Sequence, residues 1–407
     1  MKTPLEILDP RVAKAALALR SARAELERGE GDGDNPLDRF RDVASRAALE
    51  EIDASAPLGA AVRDWVAFLT LERVLWDDRA RLEASWNDAS VPFEAPGLGA
   101  SLVSPRALLA RVLSDPDPAR RLPFADALEV PCPPADLTRV AERLLEVTSS
   151  LVERAGRGDD WPSAIARAMG RDASLGWPPR LTVRWLADLF RGSGLTDGLA
   201  IDLGPIPAAI GATSFARALG QVGAAVSDAS ARRARSFSLA RAPFDAHRAR
   251  RAALFAGLAA DKAFGARVLE LNQGRARDQA RAVARALLVS LRLDAARVLC
   301  RGALSDPSGA GRFEERSAEA LGCPLPQPLF GAVPRLSPGD AARFGGTLLG
   351  LRDRLAMVER FDEDWFRNPR AIELLRDEDS APSLRAITPA MLDEGLAALL
   401  TSAGDLG

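Results

Sequence analysis

The stretch "TSFARALGQVGAAVSD" (residues 213–228) carries the period on which the fold reading rests. Phe215, Ala218, Leu219, Val222 and Val226 recur at three- and four-residue steps, so a helix gathers them into one apolar stripe. Thr213 or Ser214 is placed to cap its start. Arg217 and Gln221 stand one turn apart and project together from a face beside that stripe.

Working outward, the same period returns along most of the chain. Segments 10–29, 57–84, 135–156, 178–191, 246–271, 274–304 and 338–361 all space apolar residues for one helical face. Ala, Leu, Arg and Glu dominate these segments, and runs of Val, Ile and Thr are short. The expected fold class is therefore all-α. Three Pro/Gly-rich stretches interrupt it: "ASVPFEAPGLGASLVSP" (89–105), "VPCPPAD" (130–136) and "CPLPQPLFGAVPRLSP" (323–338). The second is the natural boundary, dividing a helical N-terminal part at 1–130 from a larger helical part at 131–407.

Composition narrows the function classes. Hydrophobic residues make up 47% of the 407 and charged residues 27%, as in a water-soluble globular chain. A net charge of −2 exerts no overall pull on nucleic acid or an anionic membrane. Cys132, Cys300 and Cys323 form no C-x-x-C pair, which leaves no zinc ribbon or thioredoxin-like site and suits a reducing cytoplasm. The first thirty residues lack an uninterrupted apolar core, and no run of about 20 apolar residues occurs, so neither a signal peptide nor a membrane partner is expected.

Charge is nevertheless uneven. Residues 230–301 hold fifteen Arg and Lys262 against five acids. Arg277, Arg281 and Arg285 form a stripe opposite Val283, Leu287 and Leu291. This reads first as a solvated face that pairs with an acidic N-terminal part. The rival reading is a helical adaptor whose basic segment 230–301 binds an acidic protein or nucleic acid.

Further along, "FDAHRARRAALF" (244–255) follows the opening helix at a telling distance. Two side chains in an i, i+4 relation are what an H-E-x-x-H zinc helix uses to bring both imidazoles to one metal. The region resembles the oligoendopeptidase F and thimet oligopeptidase family of zinc metallopeptidases. In that family H-E-x-G-H lies on one long helix, and a Glu ligand follows just under thirty residues later. "RALGQ" (217–221) falls on H-E-x-G-H, and Asp245 falls at the third ligand. Leu219 and Gly220 match, while Arg217, Ala218 and Gln221 replace His, Glu and His. The resemblance implies a multi-helix, metallopeptidase-like architecture, with an all-helical part in front, and a degenerate cleft.

The chemistry follows from the residues. A catalytic zinc needs three protein ligands and an open position, and this chain has one histidine, His247. Without Glu at 218 the zinc-bound water would also lack its base. No metal, cofactor or catalytic residue is therefore expected. G-x-S-x-G, G-x-x-x-x-G-K-[ST] and G-x-G-x-x-G after a strand are likewise missing. Asp77, Asp78 and Glu83 in "WDDRARLE" lack a second metal motif and read as surface acid–Arg pairs; Trp365 and Phe366 read as docking aromatics. The expectation is a non-catalytic, peptidase-like protein that binds a peptide or partner protein. Its degenerate cleft would be lined by Arg217, Gln221, Asp245 and Arg248. Arg217 and Asp245 could pair as a bidentate substitute for the metal.

Overall fold

Fourteen α-helices and no strand make up the described residues. In chain order these are α1 (Leu5–Arg28), α2 (Arg46–Glu51), α3 (Pro57–Asp88), α4 (Ala135–Val147), α5 (Val183–Leu189), α6 (Ala212–Arg232) and α7 (Phe237–Ala240). There follow α8 (Ala246–Ala256), α9 (Lys262–Val268), α10 (Gln273–Cys300), α11 (Gly309–Leu321), α12 (Gly339–Phe361), α13 (Pro369–Asp377) and α14 (Pro389–Gly404). The computed structural model describes residues 4–28, 33–88, 135–152, 176–203, 210–232, 236–243, 246–300, 308–325, 339–377 and 388–404. The proposed boundary at 130–136 lies outside them up to residue 134.

The opening stretch forms α6, starting one or two residues before the expected caps. Gly211 precedes the helix, and Ser214 Oγ accepts from its backbone N–H at 3.0 Å, the backward half of a capping box. Thr182 plays the ordinary cap on α5: its Oγ1 accepts from Trp185 N–H at 3.0 Å. That cap, after Pro178 and Pro179, shortens the helix expected over 178–191. The single helix expected over 246–271 is broken in two. A 3-10 turn at Gly257–Ala260 and an extended Asp261 (φ −90°, ψ 122°) separate α8 from α9. The cause lies on α12: a Cβ on Gly257 would stand 2.8 Å from Arg354 Cδ, and Asp261 accepts from the Arg354 guanidinium, with Nε at 3.2 Å.

Three buried clusters fill the molecule. Val12, Leu19, Phe40, Val62, Leu69 and Trp76 form the core of α1–α3. Phe190, Phe215, Leu219, Phe255, Val283 and Trp365 form a second around α6, α8 and α10. Leu144, Leu291, Phe313, Phe344, Leu348 and Leu396 form a third, in which α10 also takes part. Trp365 and Phe366 join the second cluster, with Trp365 at 5.5 Å from Phe255 and Phe366 at 5.4 Å from Phe264, between ring centres.

Helix α8 is clasped between α6 and α12. A Cβ on Gly346 or Gly350 of α12 would stand 2.4 Å from Ala246 O and 2.3 Å from Arg250 O, respectively. Glycines one turn apart let two backbones touch where any other residue would hold them off. At the far end, Arg292 of α10 is 1% exposed and caps two helices at once. Its guanidinium donates to Leu145 O (2.9 Å) and Thr148 Oγ1 after α4, and to Glu319 O (2.5 Å) and Ala320 O (2.8 Å) at the end of α11. Burial pulls its pKa down to about 10.

Candidate functional site

Helices α6 and α8 run side by side, and together with α1, α3, α10 and α12 they line an open cavity of about 690 Å³. It lies between the N-terminal helices and the rest of the molecule. Small side chains open it: Ala216, Gly220 and Ala224 on α6 face Ala249, Ala252 and Ala256 on α8. Leu19, Trp65, Phe68, Leu287 and Leu351 supply apolar wall. Among the described residues, six arginines (20, 23, 217, 241, 248 and 343) line it against two carboxylates, Asp202 and Asp294.

Arg217, Gln221 and Arg248, expected from the sequence, are all on this wall. Asp245 lies outside the described residues, and so does the pairing expected for it with Arg217. The sequence reading missed Arg20 and Arg23 of α1, Arg241 before α8 and Arg343 of α12. No local signal marks them, since they reach the cavity only through packing of distant helices.

Each of these arginines is anchored. Asp228 lies one turn beyond Ala224 on the cavity face of α6, and it joins two elements. Its Oδ2 is 2.7 Å from Arg20 Nη1 on α1, and its Oδ1 is 3.5 Å from Arg248 Nε on α8. Glu72, fully buried on α3, pairs with Arg23. Arg343 forks onto Asp294, Nε to Oδ2 at 2.9 Å and Nη2 to Oδ1 at 2.7 Å, and meets Asp340 at 2.6 Å. Burial by itself would lower the Arg343 pKa, but Asp294 and Asp340 outweigh it and raise it. Arg241 donates to Ser227 O, and its own carbonyl accepts from Trp65 Nε1 at 2.6 Å. Nearby, both oxygens of Asp9 accept from the start of α7, Phe237 N at 2.9 Å and Ser238 N at 2.8 Å.

Among the described residues, arginines of the basic segment also pair with C-terminal acids, which the sequence reading did not expect. Arg250 pairs with Asp353 on α12, and Arg267 pairs with Asp364, at 2.5 Å, and with Glu363, at 3.7 Å. These pairs with C-terminal acids form because α8 packs against α12 and Arg267 of α9 reaches Glu363 and Asp364. Arg277, Arg281 and Arg285 are exposed, opposite buried Val283 and Leu291. Asp77, Asp78 and Glu83 lie within α3, but their side chains are outside the described set.

His247 is 2% exposed and does not line the cavity. Burial first, then Arg251, Arg250 and Arg241, holds its pKa down at about 3, so it is neutral. The residues at the positions that the resemblance aligns with zinc ligands do not fit zinc: a guanidinium at 217 repels a cation and an amide at 221 is a poor donor to it. Among the described residues no group of three or more His, Cys, Asp and Glu could hold a metal ion. What this wall offers is charge-assisted and amide hydrogen bonding beside apolar surface, which is the equipment for binding.

No known protein family matches the sequence. No curated protein matches it either. Among solved structures, one described as "BsuCP Crystal Structure" shares the architecture at 13% identity, with a TM-score of 0.57 over 98% of each chain. At that identity the likeness speaks for an all-helical fold of the same layout and for nothing about activity. No described helix is long and apolar enough to cross a membrane.

Proposed function

We propose that this is a non-catalytic, peptidase-like binding protein whose cavity holds a peptide or a segment of a partner protein. The observation that carries this reading is the cavity of about 690 Å³ between the two helical parts. Its size falls in the usual range for ligand sites, and its walls combine apolar surface with a few convergent polar groups. That Arg217, Gln221 and Arg248 all line this cavity supports it further. A cleft of inherited shape with guanidinium and amide groups in place of metal ligands suits contact without bond cleavage.

The test is calorimetric titration with short synthetic peptides, repeated on Arg217→Ala and Gln221→Ala. Peptide binding weakened by both substitutions, with no hydrolysis product, is the expected result. Release of peptide fragments, or binding indifferent to both substitutions, would overturn the reading.

A second reading rests on one observation, the exposed stripe Arg277, Arg281 and Arg285 of α10. It would dock an acidic protein or nucleic acid, with affinity that falls steeply with salt. Replacing all three with Gln would abolish such binding and leave the cavity untouched.

A further inference from the structure

Asp228 holds two arginines from separate parts of the molecule, and both border the cavity. Arg20 comes from α1 and keeps a side chain 51% exposed; Arg248 comes from α8 and keeps 35%. Asp228 itself is 16% exposed; its Oδ2 accepts a hydrogen bond from Arg20, and its Oδ1 forms a looser ion pair with Arg248. Its position is a consequence of helical period: 217, 221, 224 and 228 share one face of α6, and the first three line the cavity. Two guanidinium groups converging on one carboxylate is the arrangement by which proteins capture a carboxylate ligand. Here the captured carboxylate belongs to the protein.

Charge around the cavity points the same way. Among the described residues six arginines face two aspartates on its wall. The acids Asp228 and Glu72, outside that lining, form ion pairs with Arg20, Arg248 and Arg23. A carboxylate entering the cavity meets partners from α1 and α8 at once. A cationic ligand would face six guanidinium groups that Asp228, Glu72, Asp294 and Asp340 neutralise only in part.

We propose that the cavity selects acidic peptide segments, and that Asp228 is a built-in competitor that shares Arg20 and Arg248 with a carboxylate of the ligand. This rests on the reading of the cavity as a peptide site and adds to it the charge of the ligand and the residue that limits its affinity. Asp228 stays tethered beside the two arginines, so an incoming carboxylate shares their guanidinium groups with it and meets its like charge, which is what limits the affinity. It also makes Arg20, and with it α1, a participant in binding by the central helices.

The experiment is calorimetric titration of the full chain with three peptides of equal length, in which leucine alternates with glutamate, glutamine or lysine. The glutamate peptide should bind tightest and the lysine peptide weakest, with the difference shrinking as salt is added. Asp228→Asn should strengthen binding of the glutamate peptide by about two- to fivefold, the scale of one exposed ion pair, and leave the glutamine peptide unchanged. Arg20→Gln and Arg248→Gln should each weaken the glutamate peptide alone. Because Asp228→Asn could loosen the contact of α1, Asp228→Glu serves as the companion variant and should keep wild-type affinity. Equal affinity for the glutamate and glutamine peptides overturns the inference and leaves the peptide site standing. So does an Asp228→Asn chain that folds and binds the glutamate peptide more weakly. Failure of all three peptides to bind overturns both.

Discussion

Gly223 on α6 lies so close to Arg251 on α8 that a Cβ added to the glycine would stand 2.1 Å from the arginine's carbonyl oxygen. The two helices bordering the cavity therefore touch backbone to backbone at this point. One turn toward the chain start, Gly220 is less tightly held, with 3.2 Å between such a Cβ and Ala252 O.

Gly223→Ala should consequently destabilise the protein by about 3 kcal/mol or more, because α6 and α8 must part. Gly220→Ala needs a shift of only a few tenths of an ångström, and alanine's helix preference of about 1 kcal/mol offsets it. Urea unfolding of the two variants reads the difference directly. Equal midpoints would show that the helices do not touch as described.

Arg292→Met should remove the shared cap of α4 and α11 and leave four acceptors, most of them buried, to find other donors. A loss of about 3–5 kcal/mol is expected. Arg292→Lys should recover little of it, since one ammonium cannot span carbonyls at the ends of two helices. Thermal unfolding of both variants against wild type checks this.

His247 makes stability depend on acid. Its folded pKa is near 3, and in the unfolded chain it titrates near 6.5, where burial and Arg251, Arg250 and Arg241 no longer act. Above pH 6.5 both states are neutral at this residue, so it causes no loss. Between 6.5 and 3 only the unfolded chain takes up the proton, so stability falls with pH by up to about 1.4 kcal/mol per unit. His247→Asn should flatten the slope of unfolding free energy between pH 7 and pH 5 by about one proton. An unchanged slope would place the imidazole in water.

Cys300 is fully buried, and burial pushes its thiol pKa up to about 12. Thiolate is the reactive form, so iodoacetamide at neutral pH should leave Cys300 unmodified in the native protein and label it once denaturant is added. Peptide mapping by mass spectrometry distinguishes it from Cys132 and Cys323.

Asp9→Ala should cost about 1–2 kcal/mol, the usual loss when a helix start is deprived of its acceptor. Asp9 is 228 residues from Phe237 in sequence, so the loss should appear as weakened attachment of α1. Faster hydrogen exchange in both α1 and α7 is the expected signature.

Much of the fold was legible in the spacing of apolar residues. Phe215, Leu219 and Val222 are buried together, as their period demands. Trp365 and Phe366 dock among Phe255 and Phe264, as aromatics beside charged residues suggested. The break after α8 was not legible, because its cause is Arg354, a residue 93 positions from Asp261. The pairs Arg250–Asp353 and Arg267–Asp364 were not legible for the same reason: these acids look like any others in the sequence, and only packing brings them near.

The site divides along the same line. That Arg217 and Gln221 share a face, and that one histidine cannot furnish a hydrolytic zinc cage, follow from order along the chain and from residue chemistry. A helix repeats every 3.6 residues whatever surrounds it, so such facts survive without a fold. That Arg20 and Arg248 meet on Asp228, that α8 lies between the glycines of α6 and α12, and that these helices line a cavity depend on contacts between residues far apart in sequence. Those contacts arise only when buried apolar faces choose their partners, and the choice is made by shape across the whole molecule.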